Sequence, residues 1–393
     1  MFYLKIDSYL KMSNSVYNLL KNRYSLLLLI ILFGIYLRLI FFSGMEISDS
    51  LGYSRAANGI NQGKGIDPNS TLTLSTRLGL IFPTALSYRL FGINDFSSVI
   101  FVLITSIASI ILIFYFGRLL FNENVGLMAA FLLSFFPLDL SHATKLGSDL
   151  PSAFFMALGV YFFLHAENKA PLKYGLSYLL SGILIGIGYL VRETALLIAL
   201  FFIVYIIYKR KVKKEYFLVP LGVLIIFAIE AIIFFGLTGN PIYRTISSQK
   251  YNMEQVIGHD YFGRLDFPTG LFHYPWLFLT NNLLVYFYAF VFIASVYALI
   301  KREKVAYSML IWLIPLLLYL SFGSASLTQY IPFRAVDRYT SIITAPAVIL
   351  LAFFLSEKKT IIKRWVMPIA LVFLLLVSIG TIYMREDRHL LDS

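Results

Sequence analysis

Apolar runs of about 20 residues recur from one end of this 393-residue chain to the other. That is the length a helix needs to cross the hydrocarbon core of a bilayer. A soluble chain of this size carries about 25% charged residues; here the share is 14%, against 59% hydrophobic. The pattern therefore predicts a polytopic membrane protein, an all-α transmembrane helical bundle. About 11 spans are expected, centred on Tyr24–Phe42, Ser97–Phe116, Val125–Leu140, Leu150–Ala166, Tyr174–Leu190, Thr194–Tyr208, Tyr216–Gly236, Trp276–Ile300, Ala306–Phe322, Tyr339–Ser356 and Trp365–Met384. No cleavable signal peptide is expected, because the first run is long, follows a basic segment and lacks a small-residue cleavage site.

Charge orients the bundle. With the N-terminus inside, the short cytoplasmic segments hold 19 of the 33 basic residues and 6 of the 21 acids, the bias expected of cytoplasmic loops. The strongest vote is "KRKVKKE" at Lys209–Glu215. The net charge of +12 then reflects loop bias, and no nucleic-acid partner is expected. With no cysteine in the chain, thiolate metal sites are excluded. The large outer segments are residues 43–96 and 237–275. They do not resemble each other, which counts against the inverted repeats usual in secondary transporters. The whole chain, 1–393, reads as one transmembrane domain with no large soluble C-terminal domain.

Once the topology is drawn, charged residues gather at the outer ends of spans: Arg38, Glu46, Asp49, Arg77, Asp139, Lys145, Asp149, Arg192, Glu193, Arg334, Asp337 and Arg338. Ionisable groups at a membrane are costly unless solvated or paired, so a convergent set points to a site. Each one alone is also explained by helix capping or by snorkelling to the interface. Asp149, two residues ahead of Pro151, reads as ordinary helix punctuation. Ser48 or Asp49 N-caps a helix through "SLGYSRAANGI", ended by Gly59, Gly63 or Gly65. Helical spacing sets Asp49, Gly52, Tyr53, Ala56 and Ile60 along one face of it. "TRLGLIFPTALSYRLFG" is amphipathic and reads as an interfacial or re-entrant helix. Glu230 lies mid-span without a second acid and is expected to be protonated or paired.

The order of these motifs resembles the GT-C glycosyltransferases, polytopic enzymes that use polyprenyl-phosphate-linked sugars, and is most similar to protein O-mannosyltransferases and lipid A aminoarabinose transferases. The resemblance runs through Arg38 in "IYLRLIFF", Asp49 and Tyr53 in "EISDSLGYSRAANGINQGKG", then "RLGLIFPTALSYRLFG", "GRLLFNENVGLMAAFLLSFFP", "GSDLPSAFF", "YLVRETALL", "TGNPIYR" and "DRYTSIITAPAVILL". It covers most of Ile35–Leu355. It implies transfer of a sugar from a polyprenyl or dolichyl phosphate to a hydroxyl on a lipid, glycan or protein, at the outer face of what reads as a prokaryotic cell membrane.

On that resemblance Asp49 is the base and Asp149 a second acid. Arg77, Lys145, Arg192, Arg338 and Tyr53 contact the donor phosphate or sugar, and Glu46, Glu193 and Asp337 support them. Oxygen ligands suit Mg²⁺ or Mn²⁺, so a divalent cation on Asp49 and Asp149 is left open. Two other readings use the same features. A transporter or flippase for a lipid-linked sugar or another solute requires charges near mid-membrane and related halves. A non-catalytic envelope subunit keeps the fold but has no need of the acid.

Overall fold

The computed structural model of the chain describes residues 22–46, 49–64, 73–168, 175–258, 272–324, 330, 335–357 and 361–391. The N-terminal tail, Ser48, Gly65 and Arg334 lie outside them, as do parts of the outer segments and basic loops. In chain order the helices are α1 (Arg23–Ile40), α2 (Asp49–Asn61), α3 (Leu78–Phe91), α4 (Asp95–Leu120), α5 (Glu123–Ser134), α6 (Pro137–His142), α7 (Asp149–Asn168), α8 (Gly175–Val191), α9 (Ala199–Lys209), α10 (Leu218–Thr238), α11 (Tyr243–Gly258), α12 (His273–Thr280), α13 (Val285–Lys301), α14 (Lys304–Phe322), α15 (Ser341–Ser356) and α16 (Ile361–Leu391). Among the described residues the β-type pairing recorded is a single bridge between Gly44 and Lys145.

Among the described residues, seven helical segments are long and apolar enough to cross a bilayer, in α1, α4, α7, α10, α14, α15 and α16. An eighth arises if α12 and α13, bent by 110°, count as one. Two expected spans form shorter helices, Val125–Leu140 as α5 and Thr194–Tyr208 as α9, while Tyr174–Leu190 is matched within a residue by the 17-residue α8. Among the described residues, length and hydropathy thus single out seven to eight of the about 11 expected spans. The local causes are visible. Pro137 holds the preceding Phe136 in extended backbone and stops α5 early. At Arg192 the chain is again extended and resumes as a 3₁₀ turn, Glu193–Ile198. These interruptions put charged side chains at helix ends rather than within helices.

Sidedness builds the bundle. α1 leaves Leu28, Leu32, Tyr36 and Leu39 exposed and turns Leu27, Gly34, Leu37 and Arg38 inward. α15 is the most enclosed of the long apolar helices, with Ile343, Val348, Ile349, Leu350, Leu351 and Ala352 fully buried. It packs on α5, α7, α13 and α14. Asn94 and Asn122 cap α4 and α5 through their side chains, satisfying first-turn amides.

Two close approaches set the site's frame. A Cβ on Gly182 of α8 would lie 1.9 Å from the Val219 carbonyl oxygen, and one on Gly222 of α10 would lie 2.5 Å from the Leu179 oxygen. Small residues let membrane helices meet backbone to backbone, and this contact brings Glu230 of α10 toward the end of α8. Gly182→Val is expected to destabilise the protein by about 1–3 kcal/mol through overpacking, read as a lower melting temperature in detergent. An unchanged melting temperature would contradict the close contact. A Cβ on Gly79 would likewise meet the Val191 amide nitrogen at 2.7 Å, so α3 seats its N-terminus, and Arg77, against the end of α8.

Candidate active site

Asp49 opens α2 and Asp149 opens α7, so each carboxylate stands at the positive end of a helix, where negative charge is favoured. The turn after Val336 brings Arg338 between them. Its Nη2 donates to Asp49 Oδ2 at 2.8 Å and its Nε lies 3.7 Å from Asp149 Oδ2. On the other side of Asp149, Arg192 Nη1 pairs with Oδ2 at 2.5 Å. The Arg192 guanidinium also stacks over the Tyr339 ring, 4.6 Å from its centroid, a cation–π contact. Exposure falls inward along this line. The side chains of Asp49 and Arg338 are each 33% exposed, while those of Asp149 and Arg192 are 10% and 7%.

A second line runs through Arg77. Arg77 Nη1 donates to the Tyr53 hydroxyl and, at 3.1 Å, to Ser148 Oγ. Ser148 also receives Arg192 Nη1 at 3.3 Å and lies 3.1 Å from the Tyr53 hydroxyl. Arg77 Nη2 approaches Glu193 Oε2 at 3.4 Å. Glu193 Oε1 in turn accepts from Arg244 Nε and Nη2 at 3.0 and 2.8 Å, and Arg244 Nη1 reaches Glu230 Oε1 at 2.8 Å. Four arginines and four carboxylates, joined through Ser148, thus form one path from the partly exposed Asp49 to the buried Glu230. Two donors on it, Arg77 Nε and Arg338 Nε, are buried without a hydrogen-bond partner among the described residues. Buried donors without an acceptor are uncommon.

Burial would push the Glu193 carboxyl up, but Arg244 and Arg77 outweigh it and hold it well below the usual carboxylate range. Burial alone would lower Arg244, yet Glu193 and Glu230 reverse the shift and raise it. A depressed acid adds stability that is complete above its unfolded value of about 4.3. That contribution is lost as pH falls toward the lower folded value. The melting temperature is therefore expected to lose this contribution only below about pH 4, with a shallower fall in Glu193→Gln. Parallel pH profiles for the two proteins would refute the assignment.

The remaining expected site residues are placed as follows. Lys145 pairs with Glu46, and its turn is tied to the exit of α1 by Ser43 N to Thr144 Oγ1 at 3.2 Å. Asp337 lies 3.8 Å from His142 Nε2 and accepts from Asn281 Nδ2 at 3.3 Å. Arg38 is fully buried. It pairs with Asp139 and donates to Ser106 at 2.8 Å and to the Ser134 carbonyl at 3.1 Å, so it fastens α1 to α4, α5 and α6. The α2 face is rotated by one residue from expectation. Ser50, Tyr53, Ser54 and Ala57 are buried, because the two serines bond inward to the Leu146 carbonyl and the Tyr88 hydroxyl. Ala56 and Ile60 remain partly buried beside Ile81 and Ala85.

Sequence reasoning missed Ser148, Arg244 and Tyr339 as site residues. The signal for Arg244 was present, since "TGNPIYR" ends on it. Among the described residues no group of three His, Asp or Glu side chains converges, and Arg338 already stands between the two aspartates. Asp49 and Asp149 as arranged do not fit a divalent cation.

Residues 79–234 match a family described as dolichyl-phosphate-mannose-protein mannosyltransferase. Among solved structures, ArnT from Cupriavidus metallidurans superposes with a TM-score of 0.63 at 15% identity over 84% of this chain and 60% of that one. The chain shares the fold of this solved protein. The archaeal oligosaccharyltransferase AglB from Archaeoglobus fulgidus, in complex with an inhibitory peptide and a dolichol-phosphate, gives 0.63 at 15% identity over 92% of this chain and 56% of that one. ArnT bound to undecaprenyl phosphate gives 0.61 at 13% identity, over 84% and 60%. The chain thus spans less than two thirds of these proteins' lengths. No curated protein matches it in sequence.

Proposed function

We propose that this protein is a membrane glycosyltransferase that moves a sugar from a polyprenyl-phosphate donor to an acceptor hydroxyl at the outer membrane face. The single observation that carries the reading is the Asp49–Arg338–Asp149–Arg192 line, partly exposed at its Asp49 end, in a GT-C fold. The fold's solved relatives include structures with undecaprenyl phosphate and dolichol-phosphate bound. The family match over 79–234 points to the same donor class.

Asp49 Oδ takes the proton of the acceptor hydroxyl as its oxygen bonds to the sugar's anomeric carbon. The bond from that carbon to the phosphate oxygen breaks, and the electron pair leaves on polyprenyl phosphate. Such proton transfer contributes about 10²–10⁴-fold. The leaving phosphate needs cations, and each arginine on the path already faces a carboxylate. Arg338 is the most exposed of them, so an incoming phosphate draws it away from Asp49. That exchange frees the base when donor is present. The Nε atoms of Arg77 and Arg338, without a hydrogen-bond partner among the described residues, supply further donors for charge-assisted bonds to phosphate. Arg192, Lys145 and Tyr53 complete the phosphate and sugar contacts. Asp149 orients Arg192 and Arg338, while Glu46, Glu193 and Asp337 hold Lys145, Arg77 and the Arg338 turn. The N-terminus is cytoplasmic in this reading, and the acceptor is a lipid, glycan or protein hydroxyl.

The purified protein incubated with a panel of polyprenyl-phosphate sugars tests this directly. Release of free polyprenyl phosphate from one of them is expected. Transport of intact lipid-linked sugar across vesicles, with no release from any donor, would replace the reading by a flippase.

A further inference from the structure

An apolar cavity lies along α9, apart from the side chains of the charge path. It occupies about 510 Å³ between α8, the 3₁₀ turn at Glu193–Ile198, α9 and α10. Its lining includes Phe202, Ile203, Ile206, Val212, Phe217 and Leu224, and Tyr216 alone adds a hydroxyl. Ile203, Leu224 and Phe217 are exposed, so the groove opens on the face that meets lipid. It follows α9, whose 11 residues rise about 17 Å. That is roughly half of a hydrocarbon core of about 30 Å, the depth of one leaflet.

The mouth of the groove is basic. α9 ends at Lys209, and the chain turns through Arg210 in the left-handed region, φ 51°. Lys213 points inward, donating to Glu167 at 2.7 Å. Glu167 is fixed in turn by the Tyr178 hydroxyl at 2.6 Å. This latch leaves Arg210, Lys211 and Lys214 exposed, with no acid paired to them among the described residues. Val212 and Phe217, also exposed, line the groove and neighbour these cations in the chain.

We infer that this groove holds one acyl chain of an anionic glycerophospholipid, with the lipid phosphate against Arg210, Lys211 and Lys214. An apolar slot one leaflet deep matches the chain, and a three-cation rim at headgroup level matches a net negative headgroup. A zwitterionic lipid offers the same chain but no net charge for the rim. The inference is independent of the glycosyltransferase reading, because none of these residues lies on the charge path.

Native mass spectrometry of the purified full chain, with phosphatidylglycerol and phosphatidylcholine of identical acyl chains, tests it. Wild type is expected to retain phosphatidylglycerol at least about tenfold more strongly. Each basic residue near the surface contributes about fivefold, so the combined Arg210→Gln, Lys211→Gln, Lys214→Gln variant is expected to lose that preference. Its melting temperature reports that it remains folded. Ile203→Trp, at the exposed edge of the groove, is expected to weaken both lipids alike. Equal retention of the two lipids by wild type would overturn the inference, as would an unchanged preference in the triple variant. Displacement of bound phosphatidylglycerol by polyprenyl phosphate would also overturn it and give the groove to the donor's tail.

Discussion

Asp49→Asn is expected to lower sugar transfer by about 10²–10⁴-fold, the usual contribution of a positioned base, while the protein still folds and inserts. The substitution keeps the size of the side chain and one oxygen for Arg338. The pair it weakens is a third exposed, and exposed pairs contribute only about 0–1 kcal/mol to stability. Activity and stability should therefore separate cleanly at this position. The measurement is turnover with a donor that wild type accepts, beside the melting temperature of each protein. Wild-type turnover in Asp49→Asn would remove Asp49 as the base. Asp149 differs: it is nearly buried and faces two arginines. A variant there is expected to disturb the arrangement as well as the rate, which makes Asp49 the sharper test.

The largest effect on stability is expected at Arg244. Its side chain is 2% exposed and donates to Glu193, Glu230 and the carbonyl of Tyr189. It also lies 4.3 Å from the centroid of the Tyr189 ring. Arg244→Met keeps the length of the chain but strands a nearly buried Glu230 inside the bundle. Breaking a buried pair from one side costs about 3–5 kcal/mol. Glu193 is less affected, being partly exposed and still near Arg77. Adding Glu230→Gln to Arg244→Met should recover part of the loss, because the stranded charge is then gone. Thermal unfolding in detergent measures both steps. If Arg244→Met melts with wild type, the pairing with Glu230 does not hold the loop helix α11 in place.

Part of the site is legible in the chain because its elements are local. Asp49 and Asp149 each precede an apolar or amphipathic run and begin a helix, as short polar residues at such boundaries do. Arg77, Arg192 and Arg338 stand at breaks that periodicity also marks. Helical spacing places the face of α2 one residue out, because apolar spacing does not count buried serines that bond inward. Ser50 and Ser54 do so. The depth of Arg38 was also unreadable: an arginine near a span end looks like a snorkelling cation until Asp139 and Ser106 are brought to it.

Class is legible in the chain: a helical bundle in a membrane, with most of its candidate site charges near helix ends and an acid soon after the first apolar run. Those features depend on composition and on spacing within single helices. Pairing was decided by tertiary structure. Arg338 and Asp49 are 289 residues apart, Arg244 and Glu193 51, and Tyr53 and Ser148 95. The period of a helix says which face is turned inward but not which helix meets it. The choice of partner came from contacts such as Gly182 against the Val219 backbone and Gly79 against Val191, which only the packed bundle makes.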